Sequence, residues 1–178
     1  FKMKKNLLKK ISKNYNHPKY VYNLNDITKS LNLLRKSLPN YSEIYYSMKA
    51  NPNLGIVKFL YKHGTGIECS SWGEVSKAIK IGVNKKDIIF TGPAKSQEDL
   101  KKFIIYRIGI ISVESINEFK NLEILSKKLK KKINCIIRIN PDQLDIKSSI
   151  KMMGVASQFG IDSQNFLKNY RVFNSKNI

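Results

Sequence analysis

The chain has 178 residues, which suits one domain of ordinary size, and its 42% hydrophobic content excludes a wholly disordered protein. Its 33 basic and 13 acidic residues give a formal net charge of +20. The lysines are spread along the chain without a nucleic-acid-binding module, so this charge favours a solvated surface. A phosphate-handling or nucleic-acid-binding domain is kept as an alternative that rests on charge alone.

No secretory signal or membrane-spanning segment is indicated by the hydropathy pattern. The basic residues at the start of the chain are not followed by the apolar stretch of a signal peptide. The longest apolar run, residues 103–111, is interrupted by Arg107 and is too short to cross a bilayer. We therefore expect a cytoplasmic protein that does not enter the membrane.

The cysteines and histidines predict neither a disulfide nor a metal site. Cys69 and Cys135 lie far apart in apolar, strand-like contexts, which is typical of buried free thiols in a reducing cytoplasm. His17 and His63 have no ligand spacing to either cysteine, so we predict no bound metal.

In chain order, short β-rich runs alternate with stretches of helical periodicity. Residues 19–23 are predicted to be extended, and Asp26 is expected to cap a helix that runs to about Leu38. Strands are then predicted over residues 43–47, 66–69, 88–91, 109–113 and 133–139. The stretches 54–61, 72–81, 97–105 and 115–129 between them predict helices. Asn53, Ser96 and either Ser70 or Ser71 are the expected helix caps.

The spacing of the predicted strands favours a closed barrel over an open sheet. Strand centres at 45, 67, 89, 111 and 137 lie 22, 22, 22 and 26 residues apart, as repeating βα units of a parallel sheet would. No G-x-G-x-x-G turn supports a dinucleotide-binding fold. A barrel of this type needs about 250 residues, and only five units are visible, with a sixth expected near Phe159. We therefore expect a partial (β/α)8 barrel of the TIM type, truncated at its C-terminal side.

The expected domain division is an N-terminal extended segment over residues 1–24 and a partial barrel domain of five to six βα units over residues 25–178.

Polar side chains follow the ends of several predicted strands, where barrel enzymes place their catalytic groups. Lys49 follows the first strand, and an amine there can form a Schiff base with an aldehyde; a surface lysine is the alternative. Glu68 lies near the end of the second strand and would need a partner such as protonated Lys49 or a cofactor. Lys95 follows the third strand in a tight loop. Arg138 ends the fifth strand and could bind a phosphate or carboxylate; a surface salt bridge is the alternative.

Five segments resemble, in order, the motifs of the diaminopimelate, ornithine and arginine decarboxylases. YSMKAN at 46–51 is similar to their pyridoxal-phosphate attachment segment, and GTGIECSS at 64–71, with Glu74, resembles the segment that follows it. TGPAKS at 91–96, RINP at 138–141 and SQFGI at 157–161 match three further family segments. The resemblance covers roughly residues 20–162.

This resemblance implies an amino-acid decarboxylase that depends on pyridoxal 5'-phosphate and has an alanine-racemase-like barrel followed by a β-domain. Lys49 would be the catalytic lysine that forms the internal aldimine, Glu68 would lie near the same side of the cofactor, and Arg138 would line the site. The cofactor ring would accept the electrons left when CO₂ departs. An amino-acid substrate and a homodimer with shared active sites are also implied, whereas nucleic acid is not an expected partner.

Several departures from the family pattern leave the substrate open. The chain ends before the family's ring-stacking histidine, its glycine-rich phosphate loop and its β-domain. Glu68 stands where aspartate is commoner, and Gln158 replaces a more frequent lysine. KMMG at 151–154 occupies the mobile-loop region, and the variant loop resembles relatives that act on carrier-tethered amino acids. A non-catalytic regulatory or binding relative of the decarboxylases is the alternative function.

Overall fold

The computed structural model describes residues 5–13, 15, 17–141 and 157–178. The chain divides into two compact units, residues 1–43 and residues 44–178. The division falls inside the predicted barrel portion, and the assignment of residues 25–178 to one domain stays a prediction. No helix in the described part of the chain is long and apolar enough to cross a membrane.

The first unit contains two helices, α1 (Lys5–Lys13) and α2 (Leu24–Ser37). The expectation of an extended segment over residues 1–24 is wrong for Lys5–Lys13, because Leu7, Leu8 and Ile11 have helical spacing that the surrounding lysines obscure.

The start of α2 corrects the predicted cap. Asn23, not Asp26, is the cap: its side-chain oxygen accepts a hydrogen bond from the Asn25 N–H at 3.1 Å. Asp26 lies in the first turn, where its carboxylate accepts a hydrogen bond from the Asn23 side chain at 2.8 Å. The helix therefore begins one residue after Asn23, earlier than predicted.

The second unit is built on a five-stranded parallel sheet in sequential order. Its strands are β1 (Tyr45–Ser47), β2 (Gly66–Cys69), β3 (Ile88–Phe90), β4 (Ile110–Val113) and β5 (Asn134–Ile137). A separate parallel pair consists of β6 (Ile139–Asn140) and β7 (Ile161–Asp162). The helices are α3 (Leu54–Lys62), α4 (Trp72–Lys80), α5 (Gln97–Tyr106), α6 (Ile116–Leu129) and α7 (Ser163–Asn169). The predicted alternation of strands and helices is confirmed from β1 to β5, and β7 with α7 lies where a sixth unit was expected, near residue 159.

The predicted fifth strand, 133–139, is interrupted at Arg138. The Arg138 N–H donates to the carbonyl of Val113 at 3.0 Å, which continues the pairing with β4. Its carbonyl accepts a hydrogen bond from the Ile161 N–H at 2.8 Å. The chain therefore changes strand partner at this residue, and one predicted strand becomes two.

The two faces of the sheet differ because successive side chains point to opposite sides. On one face, Ile67, Phe90 and Ile111 are buried with apolar side chains of the helices in one core. Full burial of a side chain such as Phe103 contributes about 1.5–3 kcal/mol. The opposite face carries the register row Ser47, Glu68, Ile89, Ile110 and Asn134. That face corresponds to the interior of a closed barrel.

Candidate cofactor site at the carboxyl end of the sheet

Lys49 lies in the turn directly after β1. The Met48 N–H still donates to the Glu68 carbonyl at 3.0 Å, and the turn is closed by a hydrogen bond of 3.2 Å from the Ala50 N–H to the Ser47 carbonyl. The Met48 side chain is fully buried, whereas the adjacent Lys49 is exposed. Within the described residues, the Lys49 amine has no hydrogen bond or ion pair, so it is available to a ligand.

Glu68 lies next to Ser47 in the register of β1 and β2 and is partly buried. Its carboxylate oxygen Oε1 accepts a hydrogen bond of 2.7 Å from the Thr91 hydroxyl, which follows β3. The Thr91 hydroxyl also lies 3.4 Å from the Ser70 hydroxyl. The Thr91 hydroxyl thus binds Oε1, which leaves Oε2 for a ligand, and the predicted partner of Glu68, protonated Lys49 or a cofactor, stays a prediction.

Arg138 lies at the same end of the sheet, directly after β5, which is the edge strand opposite β1. Its guanidinium lies 3.5 Å from a carboxylate oxygen of Glu114 and 5.0 Å from the centre of the Phe159 ring. The Glu114 side chain is only 3% exposed, while that of Arg138 is 32% exposed. The ion pair is therefore not a pair of two solvated surface groups, and the guanidinium keeps N–H donors for an anion.

Glu114 is a site residue that our sequence reasoning missed. Its carboxylate accepts hydrogen bonds from the Gly160 N–H at 3.0 Å and the Ser112 hydroxyl at 3.3 Å. Gly160 has φ +82°, and a β-carbon there would lie 2.9 Å from the Arg138 carbonyl oxygen, so this close approach requires glycine. The available signal was an acidic residue placed directly after the β4 run.

A second missed residue, Glu118, connects Glu114 to Lys95. Glu118 Oε2 accepts a hydrogen bond of 2.8 Å from the Glu114 N–H, and Oε1 lies 2.9 Å from the Lys95 amine. Burial raises the pKa of the Glu118 carboxyl above its ordinary value, while the Glu114 N–H and the Lys95 ammonium act in the opposite direction. Ser115-x-x-Glu118 is a helix-start pattern that the sequence does display.

A cleft of about 460 Å³ adjoins these acidic and basic groups. It is lined by residues 114–116, 140, 141, 157, 160–162 and 165. The predicted mobile-loop residues 151–154 lie outside the described residues. The described residues contain no group of three or more side chains suited to holding a metal ion.

The predicted site residues share one end of the sheet but form two clusters. Lys49 follows β1 and Glu68 lies near the end of the neighbouring strand β2, whereas Arg138 follows β5. Ser47, beside Lys49, has a buried hydroxyl oxygen with no hydrogen-bond partner in the described part of the chain. A free amine, an unpaired buried hydroxyl and a partly exposed guanidinium suit an aldehyde cofactor that carries an anionic group.

A family model described as "Pyridoxal-dependent decarboxylase, pyridoxal binding domain" matches residues 24–178. The chain belongs to this family. The predicted family and cofactor, pyridoxal phosphate, are therefore confirmed, and the chain matches the pyridoxal-binding domain of this family.

Two curated relatives illustrate the range of the family. The diaminopimelate decarboxylase of Campylobacter jejuni is 37% identical over 135 residues, which cover 75% of this chain and 34% of the relative. The L-glutamyl-[BtrI acyl-carrier protein] decarboxylase of Niallia circulans is 35% identical over 152 residues, covering 85% of this chain and 36% of the relative. The chain thus spans about a third of the length of these relatives.

A solved structure agrees with the observed fold. The diaminopimelate decarboxylase of Helicobacter pylori, complexed with L-lysine, superposes with a TM-score of 0.81 and 25% identity. The match covers 90% of this chain and 41% of that protein. The predicted α/β partial barrel of the alanine-racemase-like type is therefore confirmed, while the roles of Lys49, Glu68 and Arg138 stay predictions.

Proposed function

We propose that this chain is the cofactor-holding part of a pyridoxal-phosphate-dependent amino-acid decarboxylase and that the Lys49 amine binds the cofactor aldehyde. The observation that carries this proposal is that the Lys49 amine, at the carboxyl end of β1 in a chain of this family, has no partner among the residues that the structure describes. The bound cofactor supplies an electron-withdrawing ring next to the carbon that loses CO₂.

The other side chains of the site bind and orient the cofactor. Thr91 holds Glu68 Oε1, so the orientation of the carboxylate is fixed while Oε2 can accept a hydrogen bond from a ligand. Arg138, held by Glu114 and stacked on Phe159, presents its remaining N–H donors to an anionic group of the cofactor. Glu68 and Arg138 would thus hold the cofactor from two different strands of the same sheet.

The proposed substrate is an amino acid, either free or attached to a carrier. Diaminopimelate and a carrier-bound glutamyl group are named in the relatives described above, and the departures at residues 151–154 and Gln158 leave both classes open. We also propose a cytoplasmic location, because the two cysteines are free thiols. A homodimer with shared active sites is proposed on the family resemblance.

Absorption spectroscopy tests the central proposal. The protein that contains this chain is titrated with pyridoxal phosphate, and we expect a visible absorption band from the cofactor bound to an amine. Lys49→Ala should lose the band, whereas Lys58→Ala, which removes an exposed lysine of α3, should keep it. A band that persists in Lys49→Ala would overturn the proposal.

Release of CO₂ separates the proposed enzyme from the alternative, a non-catalytic relative. The assay offers diaminopimelate and other amino acids to the cofactor-loaded protein. Release that disappears in Lys49→Ala supports a decarboxylase. A folded protein that binds the cofactor without releasing CO₂ from any amino acid supports a binding or regulatory function.

A further inference from the structure

The ion pair between Lys95 and Glu118 is nearly inaccessible to solvent. The two side chains are 2% and 10% exposed, and the amine lies 2.9 Å from the carboxylate. Lys95 also donates to the carbonyl of Gly92 and lies 5.9 Å from the centre of the Phe90 ring. A buried ion pair contributes little net stability, because the loss of hydration opposes the attraction between the charges. The contacts of the pair, and not its stability, therefore indicate its role.

The pair is connected to Arg138 through Glu114. One oxygen of Glu118 faces Lys95, and the other accepts the Glu114 N–H at 2.8 Å. The Glu114 carboxylate then contacts the Arg138 guanidinium at 3.5 Å and the Gly160 N–H at 3.0 Å. The loop after β3 is thus linked to the residue that follows β5.

Helix capping alone does not account for the buried lysine. The start of α4 has the same arrangement, in which Glu74 accepts the Ser70 N–H at 2.7 Å and the Glu74 N–H donates to the Ser71 hydroxyl at 3.2 Å. In the described part of the chain, no lysine forms an ion pair with Glu74. A carboxylate can therefore make this cap by itself, and the Lys95 contact is an addition specific to α6.

We propose that Lys95 and Glu118 are positioning residues that fix Glu114, and through it the Arg138 guanidinium, for binding the anionic cofactor. Lys95 holds one oxygen of Glu118, so that the other stays directed at the Glu114 backbone. The Glu114 carboxylate then keeps both Arg138 and the Gly160 turn in place. This inference rests on the proposed function, because it assigns Arg138 to cofactor binding.

A double-mutant cycle on cofactor affinity tests the proposal. Lys95→Met/Glu118→Met replaces both charges with apolar side chains of similar length, so that neither charge is left buried alone. We expect its Kd for pyridoxal phosphate to rise about tenfold, within the usual range of coupling between contacting residues. In an Arg138→Met background, the same replacement should have no further effect on Kd, because its effect is transmitted through Arg138.

The matched control removes an exposed ion pair of α5. Glu98→Gln/Lys102→Met deletes a pair with a 2.7 Å contact that does not touch the Arg138 network. We expect its Kd to be unchanged in either background. If the Lys95–Glu118 replacement fails to fold, Glu118→Gln is measured instead: it keeps the size and an acceptor oxygen, and its Kd should rise severalfold only when Arg138 is present.

The outcomes separate this inference from the proposed function. If the unsubstituted protein does not bind pyridoxal phosphate, the proposed function fails. If it binds the cofactor and the Lys95–Glu118 replacement folds with an unchanged Kd, only the positioning role is overturned. A rise in Kd of equal size with and without Arg138 would also overturn it, because the pair would then act on the fold alone.

Discussion

Lys49 is one of many lysines in a strongly basic chain, and its surroundings distinguish it. Met48, the residue before it, is fully buried, and its backbone N–H still donates to the Glu68 carbonyl of β2. The position of Lys49 at the end of β1 is therefore fixed by the sheet. The register places Ser47 beside Glu68 just before this point. A surface lysine on a helix, such as Lys58, has no comparable set of polar neighbours at a strand end.

The hydrogen bond from Thr91 to Glu68 should contribute to stability. Thr91→Val removes the donor and leaves a partly buried carboxylate without it, so we expect a loss of about 1–3 kcal/mol in the free energy of unfolding. Chemical denaturation of the protein that contains this chain measures the change.

Thr65→Val is the matched control for that substitution. The Thr65 hydroxyl is buried and has no hydrogen-bond partner in the described residues, so its removal should be neutral or stabilising. Equal losses at the two positions would show that the Glu68 contact contributes nothing specific.

The two free thiols should react at different rates. Cys69 is fully buried, and burial, with smaller contributions from Glu74 and Glu68, raises its pKa to about 12. At pH 8 only about one molecule in ten thousand then carries the reactive thiolate. Cys135 is partly buried and has a smaller rise in pKa. A thiol reagent should therefore modify Cys135 first.

A Cys135→Ser variant gives the control for this measurement. With only Cys69 present, labelling at pH 8 should be slow in the folded protein and fast in denaturant. Rapid labelling of Cys69 under native conditions would contradict its burial.

Three successive helices of the second unit, α4, α5 and α6, begin with a serine that is followed three residues later by an acidic residue. Ser71 with Glu74, Ser96 with Asp99 and Ser115 with Glu118 each place a hydroxyl on the backbone N–H of the acidic residue. The carboxylate of each acidic residue in turn accepts a hydrogen bond from a backbone N–H at or before the start of the helix. These N–H groups have no partner within the helix.

Ser96→Ala should destabilise the protein by about 1 kcal/mol, because Ser96 and Asp99 form a complete capping box at the start of α5. Ser37→Ala is the control, since Ser37 is an exposed residue in the last turn of α2 whose hydroxyl bonds only to the Leu33 carbonyl. Thermal denaturation of both variants checks the difference. An equal shift in Tm would argue against a contribution from the cap.

The strands and helices of the second unit were predictable because their signals are local. Apolar runs such as 66–69 and 88–90 must be buried on a face covered by helices, and the serine caps mark where those helices begin. The lysines of α1 concealed its helical periodicity. The change of strand partner at Arg138 depends on Val113 and Ile161, which are distant in sequence, so no local pattern reports it.

The candidate site was predictable to the extent that each residue lies at or just after the end of a strand. Lys49, Glu68 and Arg138 were found in this way, and they do lie at one end of the sheet. Their partners were not found, because the contacts from Glu114 to Gly160 and from Glu118 to Lys95 span 46 and 23 residues. Local patterning predicts where a polar side chain lies but not what it contacts.

The sheet face that carries Glu68 also carries several isoleucines, and one of them is exposed in the described part of the chain. Ile89, Ile110 and Ile136 lie on this face, and Ile136 is 47% exposed. The strands β1 and β5 are its two edges. Exposed edges and apolar faces promote association between chains.

The 178-residue chain by itself should therefore aggregate or bind hydrophobic dyes. Light scattering at increasing concentration measures the association, and we expect particle size to grow with concentration. A monodisperse monomer with a sharp, cooperative thermal transition would contradict this expectation.

Reductive trapping identifies the lysine that binds the cofactor. The protein that contains this chain is incubated with pyridoxal phosphate, treated with borohydride to make any amine linkage permanent, digested and measured by mass spectrometry. We predict one major modified peptide, which carries the pyridoxyl phosphate mass on Lys49. Modification spread over many lysines, or concentrated on a lysine other than Lys49, would contradict the assignment of the cofactor site.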